Sequence, residues 1–464
     1  MIEQEKKDLE EKETKNKFWK GVLVGALVTA FSGLIAVGMA AGIWVVARGV
    51  NVDQSAEVQT IDRTGDDGKL DMAKIGPKLN YMQELINQYF LFDEEEREDP
   101  EEWIYSGLIY SLQDPYSVYY TPEEYESVVE SNEGEYCGIG VQVSQNVYTG
   151  IITVVKVFKG TPAEKAGMLP GDVLTAVGDM DVSGMDLSLL VSDYIKGEEG
   201  TEVSLTVYRE SAEDYVEMTM ERAMVENPTV EYTMLEDKIG YISLSSFEEV
   251  SGDQFKTAVD SLEGKGMEGL IVDLRNNGGG VVSAAEAIAD YLLPGGKTIV
   301  SFKGKGIRDS TIYSKTPDYK PEDPNEEYEY HQVDVPIVVL VNGQSASASE
   351  VLTGALKDNG WGTVVGTKTF GKGIAQGVFP MADGSAVKLT TAYYYVPSGE
   401  CIHELGIEPD VEVELREDLR RMIEVPKDED NQLKAAVGVL LRGTDAVKKE
   451  LEALEETTKA DDAP

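Results

Sequence analysis

From Gly21 to Ala47 the chain reads GVLVGALVTAFSGLIAVGMAAGIWVVA, a stretch in which no residue carries a charge. A helix needs roughly 20 apolar residues to cross the hydrocarbon of a bilayer, and this run is longer. Lys15, Lys17 and Lys20 precede it, whereas Arg48 is followed by Asp53 and Glu57. Cationic flanks stay on the cytoplasmic side, so residues 1–20 are expected to be a cytoplasmic tail and everything beyond Arg48 extracytoplasmic. The alternative is a cleaved signal peptide with small residues Gly38 and Ala40 at the cleavage site. Its apolar region would then be about twice the usual length. Gly21 and Gly25, and Gly38 and Gly42, have helix-dimerisation spacing, a pattern that a Gly-rich span also shows by chance.

A chain of 464 residues has room for several hydrophobic cores. Its 85 acidic residues against 41 basic ones give a formal charge of −44, which argues against nucleic-acid binding because phosphate neutralisation needs a basic surface. So much acid otherwise reads as a solvated surface. Two cysteines, Cys137 and Cys401, imply neither a disulfide framework nor a cysteine zinc site.

Residues 48–70 are polar and aperiodic, as a linker would be; Asp66-Asp67-Gly68 lacks the ligand spacing of an EF-hand. Over 71–133 apolar residues recur at helical spacing, as in Leu79, Met82, Leu85, Ile86 and Tyr89, with Pro100 and Pro115 interrupting. Over 134–222 short strands are punctuated by Gly and Pro, with helical pieces near 162–166 and 186–196. Over 223–416 strands at 239–245, 269–274, 297–302 and 335–341 alternate with helices at 252–263, 281–293 and 348–358. That alternation predicts a largely parallel sheet covered by helices. Residues 303–332 form an acidic, Tyr-rich excursion, and 417–464 a charged helical segment and tail.

In Gly138-Ile139-Gly140-Val141 the glycines allow successive amides to turn toward one point and cup a carboxylate, and the strand beginning near Val141 can pair with an extended chain. Alone, this is also an ordinary Gly-rich turn. With the downstream run KGTPAEKAGMLPGDVLTAVGDMDV at 159–182, the segment resembles a PDZ domain, which implies binding of a chain terminus or an internal segment.

Ser347 follows a buried-type strand and opens a helix, where free amides and the positive end of the dipole favour an oxyanion. Ser347-x-x-Glu350 is equally the signature of a capping box. Lys372, in Thr369-Phe370-Gly371-Lys372-Gly373-Ile374-Ala375-Gln376, has small and apolar neighbours and no acidic one. Desolvation would leave it neutral and able to take a proton, although a surface lysine on a glycine hairpin is the plainer reading. Gln376, four residues on, would share its face in a strand and orient it without charging it.

Taken together these residues are similar to the S41 peptidases, the carboxyl-terminal processing or tail-specific proteases. The resemblance runs over roughly 75–415, from DPYSVYYTPEE at 114–124 through SASASE and TFGKGIAQ, with Ser347 and Lys372 25 residues apart, to PSGECIHELGIEPD at 397–410. It implies an α/β crotonase-like protease core at 223–416, which joins the architecture read above: a single N-terminal transmembrane helix, a short helical segment and a PDZ domain at 134–222. It implies Ser347 as nucleophile, Lys372 as general base and Gln376 as orienting residue. The amides of Ala348 and Gly280 would be oxyanion donors, with Gly279 in reserve, and Asp273, Arg275 and Glu350 would support the geometry. Gly278 stands where many relatives carry Pro. The mechanism implied needs no metal or cofactor, and the partners implied are protein or peptide substrates with accessible C-termini. A homodimer or larger homo-oligomer is compatible with the resemblance, and the sequence leaves that open.

A Ser-His-Asp triad would have to use His331 or His403, neither in a recognisable context. His403-Glu404-Leu405-Gly406 lacks the second histidine of a zincin. The competing reading from another class is a catalytically silent, PDZ-bearing membrane scaffold, against which the intact Ser347, Lys372 and Gln376 speak.

Overall fold

The computed structural model describes residues 70–92, 99–321, 328–420, 422 and 425–461. The apolar stretch 21–47 and most of the linker at 48–70 lie outside them. Among the described residues no helix is long and apolar enough to cross a membrane.

Two helices lead the described chain: α1 (Met72–Tyr89), none of whose residues is buried, and α2 (Pro100–Tyr110). Pro100 opens the second of these short helices, because its missing N–H costs nothing in the first turn and Asp99 caps the amide of Glu101. After β1 (Val118–Tyr120) comes α3 (Pro122–Glu133), bracketed by a capping box between Thr121 and Glu124 and by Gly134 in the left-handed region at φ 75°.

The next unit has its own core. Its sheet runs in the order β3 (Val141–Gln145), β4 (Ile152–Val157), β5 (Val173–Val177), β7 (Glu202–Arg209), β8 (Asp214–Glu221), with the short β6 (Met180–Asp181) on β5. Helices α4 (Pro162–Lys165) and α5 (Leu187–Leu190) close it, the latter continuing as a π-turn to Ile195. Ile139, Ile152, Val154, Leu174, Leu190, Leu205 and Val207 fill the interior. Each such buried aliphatic side chain stabilises the fold by roughly 1.5–3 kcal/mol. The antiparallel pair of β2 (Glu135–Gly138) and β9 (Ala223–Glu226) joins this unit to a second, larger one.

The larger core is a six-stranded sheet ordered β10 (Val230–Met234), β11 (Ile239–Leu244), β12 (Gly269–Asp273), β15 (Ile337–Val341), β16 (Gly362–Gly366), β19 (Val411–Glu412), parallel throughout except for β10. Every residue of β12 and β15 is buried, as expected of parallel strands covered on both faces. Period-two alternation sorts them. Leu270 and Val272 pack with α6 (Ser251–Gly264), α7 (Val282–Leu292) and α8 (Ala348–Asp358), while Ile271 packs on the opposite face with α9 (Asn431–Arg442) and Val447 of α10 (Thr444–Asp461).

One expected member of this sheet lies elsewhere. The run read at 297–302 forms β13 (Thr298–Gly304), which joins a second, antiparallel sheet with β14 (Ser310–Tyr313) and β18 (Ala386–Tyr395). A strand's own pattern reports burial but not the partner that supplies it. Along one edge of β18 runs β17 (Ile374–Pro380); along the other lie first β1 and then β13.

Candidate active site

Ser347 sits between the carboxyl end of β15 and the first turn of α8, where crevices of parallel α/β sheets collect functional groups. Its φ of 56° and ψ of −113° are far from the extended angles of an ordinary N-cap serine, and such strain in a non-glycine residue persists only where surroundings over-determine it. Those surroundings are specific. Ala346 N–H donates to Asn277 O (3.1 Å), Ser349 Oγ donates to the same carbonyl (2.9 Å), and Ser345 Oγ donates to Leu274 O (2.7 Å). Tyr394 OH donates to Ser347 O at 3.3 Å.

The glycine loop after β12 is pressed against this turn. Asn277, fully buried, donates through Nδ2 to Leu244 O (2.8 Å) and accepts through Oδ1 from Gly279 N–H (2.8 Å). At Gly279 a Cβ would come within 2.6 Å of Ala346 O and 2.9 Å of Ala348 N, so only glycine permits the approach. Gly280 bridges Phe247 in the parallel sense, with Phe247 N–H bonded to Gly279 O and Val281 N–H to Phe247 O. That pattern turns the amide of Gly280 itself away from Phe247. The amide of Gly279, by contrast, is already held by Asn277.

Glu350 ties the two halves of the site together. Its Oε2 accepts both Ser347 N–H and Lys372 N–H, each at 2.9 Å, and its Oε1 accepts Thr369 Oγ1 (2.6 Å) and Gly371 N–H (2.7 Å). A helix cap would need only the first of these. Burial pushes the Glu350 carboxyl upward, and the bonds from Thr369, Gly371, Ser347 and Lys372 oppose it.

Lys372 is buried and pushed down to about 7, first by desolvation and then by the charge of Lys388, with Asp114 and Glu350 acting the other way. Its Nζ lies 4.5 Å from the centre of the Tyr116 ring. The residue precedes β17 rather than lying in it, and a bulge falls between Ala375 and Gln376. The simple sharing of one strand face by Lys372 and Gln376 is therefore not how the chain arranges them. Gln376 is buried and donates through Nε2 to Thr390 Oγ1 at 3.3 Å.

Asp273 and Arg275 lie off to one side. Arg275 donates to both oxygens of Asp273, Tyr241 OH donates to Asp273 (2.8 Å), and Arg275 continues to Asp430 (2.8 Å) and Gln432 Oε1 (3.0 Å). Their partners are Tyr241 of β11 and residues of the C-terminal segment, not Ser347 or Lys372. His331 has Nδ1 at 3.0 Å from Tyr291 O and Nε2 at 3.2 Å from Glu263, making with Asp260 a cluster capable of holding a cation. His403 packs against the backbone of Gly373 and edge-on to Tyr393.

In the smaller unit, Gly138 ends β2, Ile139 enters the core, and Val141 starts β3. Gly140, at φ 82°, is so close to Thr161 that a Cβ would lie 2.3 Å from it. Among the described residues strand β3 pairs only with β4, which leaves its other edge open there. A groove of about 770 Å³ runs along that edge, lined by Ile139, Val141, Val143 and Leu190 on one side and by Thr229 and Ser243 of the larger core on the other.

Sequence reasoning did not single out Asn277, Thr369, Tyr394, Thr390 or Lys388, nor assign a role to Asp114, Tyr116 and Ser117. Thr369 and the 114–117 turn lay within quoted motifs, but nothing in spacing alone says which side chain faces the serine.

The description "Peptidase family S41" matches residues 238–413, and "PDZ domain" matches residues 137–220. A "Probable CtpA-like serine protease" of Staphylococcus aureus (strain MSSA476) is 35% identical over 346 residues, covering 75% of this chain and 66% of the relative, just under two thirds of its length. A "Carboxy-terminal-processing protease" of Bartonella bacilliformis is 36% identical over 313 residues, 67% of this chain and 68% of the relative. Among solved structures, a photosystem II D1 C-terminal processing protease is 27% identical, with 79% of this chain and 92% of that one covered at a TM-score of 0.41. By its similarity to the Bartonella protease across two thirds of both chains, the protein belongs to peptidase family S41, with a PDZ domain ahead of its protease core.

Proposed function

We propose that the chain is a membrane-anchored serine endopeptidase that hydrolyses extracytoplasmic proteins, with Ser347 as nucleophile and Lys372 as general base. The observation that carries the reading is that one oxygen, Glu350 Oε2, accepts the backbone amides of both Ser347 and Lys372. That shared acceptor sets the two residues side by side, both buried. With its pKa near 7, Lys372 is substantially neutral at physiological pH and can take the proton of Ser347 as the hydroxyl attacks the peptide carbonyl. The amides of Ala348 and Gly280 would receive the oxyanion, Gln376 would orient the lysine, and water would then release the acyl group. Asn277 serves by bracing the glycine loop against the nucleophile turn. The relatives named for serine protease and carboxy-terminal processing activity support the same chemistry.

The open edge of β3 beside the Gly138–Val141 turn favours substrates that present an extended C-terminal segment, which would add a strand and lay its side chains into the adjoining groove. The uncharged stretch 21–47 is the anchor, with the N-terminus cytoplasmic.

The decisive experiment compares the parent with Ser347→Ala and Lys372→Arg on an unstructured peptide, alongside labelling by a serine-reactive phosphonate. Parent-like turnover by either variant would overturn the dyad, and an unlabelled parent would favour the silent scaffold. For topology, protease added outside intact cells should digest residues beyond 48 and spare an N-terminal tag.

A further inference from the structure

Lys388 is a buried lysine that the proposed mechanism leaves unused. It lies in the middle of β18, with Val378 of β17 opposite it on one edge and Val118 of β1 on the other. No carboxylate lies within ion-pair distance of it among the described residues. Its Nζ is 5.2 Å from the centre of the Tyr120 ring. Two residues along, Thr390 projects from the same face of the strand and accepts the bond from Gln376. The backbone of Thr390 donates to Ser117 Oγ (3.1 Å), and Ser117 Oγ donates to Asp114 Oδ2 (2.6 Å). From the same 114–117 turn Tyr116 lays its ring over Lys372. Lys388, Gln376, the turn and Lys372 thus surround one small volume.

We propose that Lys388 is a positioning residue for the reaction: its cation, held by the β1 and β17 strands beside Lys372, keeps Lys372 in the neutral form that can accept the serine proton. The inference rests on Lys372 being the base. Two ammonium groups in one buried volume cannot both stay charged without cost, so the charge of one favours the neutral form of the other. Asp114, the anion of the same volume, favours the charged form of both lysines. Burial acts to raise its pKa, but bonds from Ser117, Thr390 and Tyr116 outweigh this and hold it below the usual range. Burial pushes Lys388 down to about 8, and burial together with the charge of Lys388 pushes Lys372 down to about 7. The other titratable groups facing the pair are Glu350 from α8, Tyr116 from the turn with Glu404 near it, and Tyr120 from β1 with Glu124 near it. Of these Glu350 favours charged Lys372, so the neutralising influence must come from burial and Lys388.

The test is the pH dependence of kcat/KM on a short unstructured peptide, and of inactivation by a fluorophosphonate, for the parent, Lys388→Met, Lys388→Gln and Lys388→Arg. Loss of the cation should move the acid limb of the Met and Gln variants upward by about one pH unit, an approximately tenfold loss on the acid side that narrows as pH rises. The Arg variant keeps the cation and should keep the parent's limb. Thermal melts identify a variant that has not folded, and Met and Gln back each other up. An unmoved limb in the neutral variants, or an Arg limb displaced as far as theirs, overturns the proposal and leaves Lys388 a space-filling residue. Lys372→Arg separates the two readings. If it is inactive while the neutral Lys388 variants keep the parent's limb, only the present proposal fails; if it stays active, both fail.

Discussion

Thr369 donates its hydroxyl to Glu350 at 2.6 Å, with both side chains buried. The bond belongs to a set of four that converge on one carboxylate, two on each oxygen, and all four donors are N–H or O–H groups that a carboxylate alone can accept together.

Glu350→Gln should therefore damage the enzyme despite its near-identical shape. One oxygen becomes an NH2 group, which faces two donors and can accept from neither. Leaving buried donors unpaired costs about 1–3 kcal/mol each, so a loss of roughly 2–6 kcal/mol is expected in urea denaturation. Turnover should fall at least 100-fold, because both Ser347 and Lys372 lose their common tether. A variant with parent stability and activity would show that the convergence is incidental.

Gln376→Glu should move the acid limb of the pH–rate profile upward. A carboxylate beside Lys372 stabilises the ammonium and raises its pKa from about 7, so neutral base appears only at higher pH. It also cannot donate to Thr390 as Gln376 does. Raising the pH should restore part of the rate. A profile that overlays the parent's would mean that Gln376 does not govern the lysine.

Stability itself should depend on pH through Lys372. Its folded pKa of about 7 lies below the ordinary 10.5, so between these values the unfolded chain binds more protons. Stability contributed by this group consequently rises with pH across that window, and below about 7 the full cost of a buried charge is felt. Lys372→Met should be more stable than the parent by on the order of a few kcal/mol at pH 6 and progressively less so toward pH 10. Denaturant titrations at the two pH values check this, and an advantage independent of pH would contradict it.

Gly140→Ala should weaken peptide binding by the smaller unit. At φ 82° an added Cβ costs about 1–2 kcal/mol in backbone strain and meets Thr161 at 2.3 Å. Thr161 donates to Gly140 O, so relief of the clash distorts the turn that precedes β3. The half-saturation concentration for a long substrate should rise while the maximal rate on a short peptide changes little. Equal affinity of parent and variant for a C-terminal peptide would exclude the turn as a binding element.

Legibility in the sequence divides along physical lines. The β12 and β15 runs read as buried parallel strands because burial on both faces leaves no room for polar alternation. The helix over 348–358 is equally clear, since its apolar residues recur at helical period. Burial of Lys372 is only allowed by its small and apolar neighbours, since a surface lysine on a glycine hairpin is the plainer local reading. The clamp on Glu350 is not legible, because Glu350 reads locally as half of a capping box. Its other bonds come from Thr369, Gly371 and Lys372, which reach it only through the tertiary fold. The same holds for Lys388, whose alternation in β18 gives a buried face but not the lysine it faces. The place of β13 is hidden for a related reason: a strand of seven residues carries no label of the sheet it joins.

The hydrogen bond from Thr390 to Ser117 spans 273 residues of sequence. Closing so long a loop is entropically expensive and is deferred until stronger local contacts exist, so this part of the molecule should be among the last to lock in during folding. Tyr116, the cover over Lys372, arrives with that same closure. A chain still emerging from synthesis or export would then carry its serine and lysine uncovered and unpoised, because the lid over the lysine depends on two segments from opposite ends of the polypeptide meeting. The order of assembly alone would hold a newly made peptidase inert until it is whole.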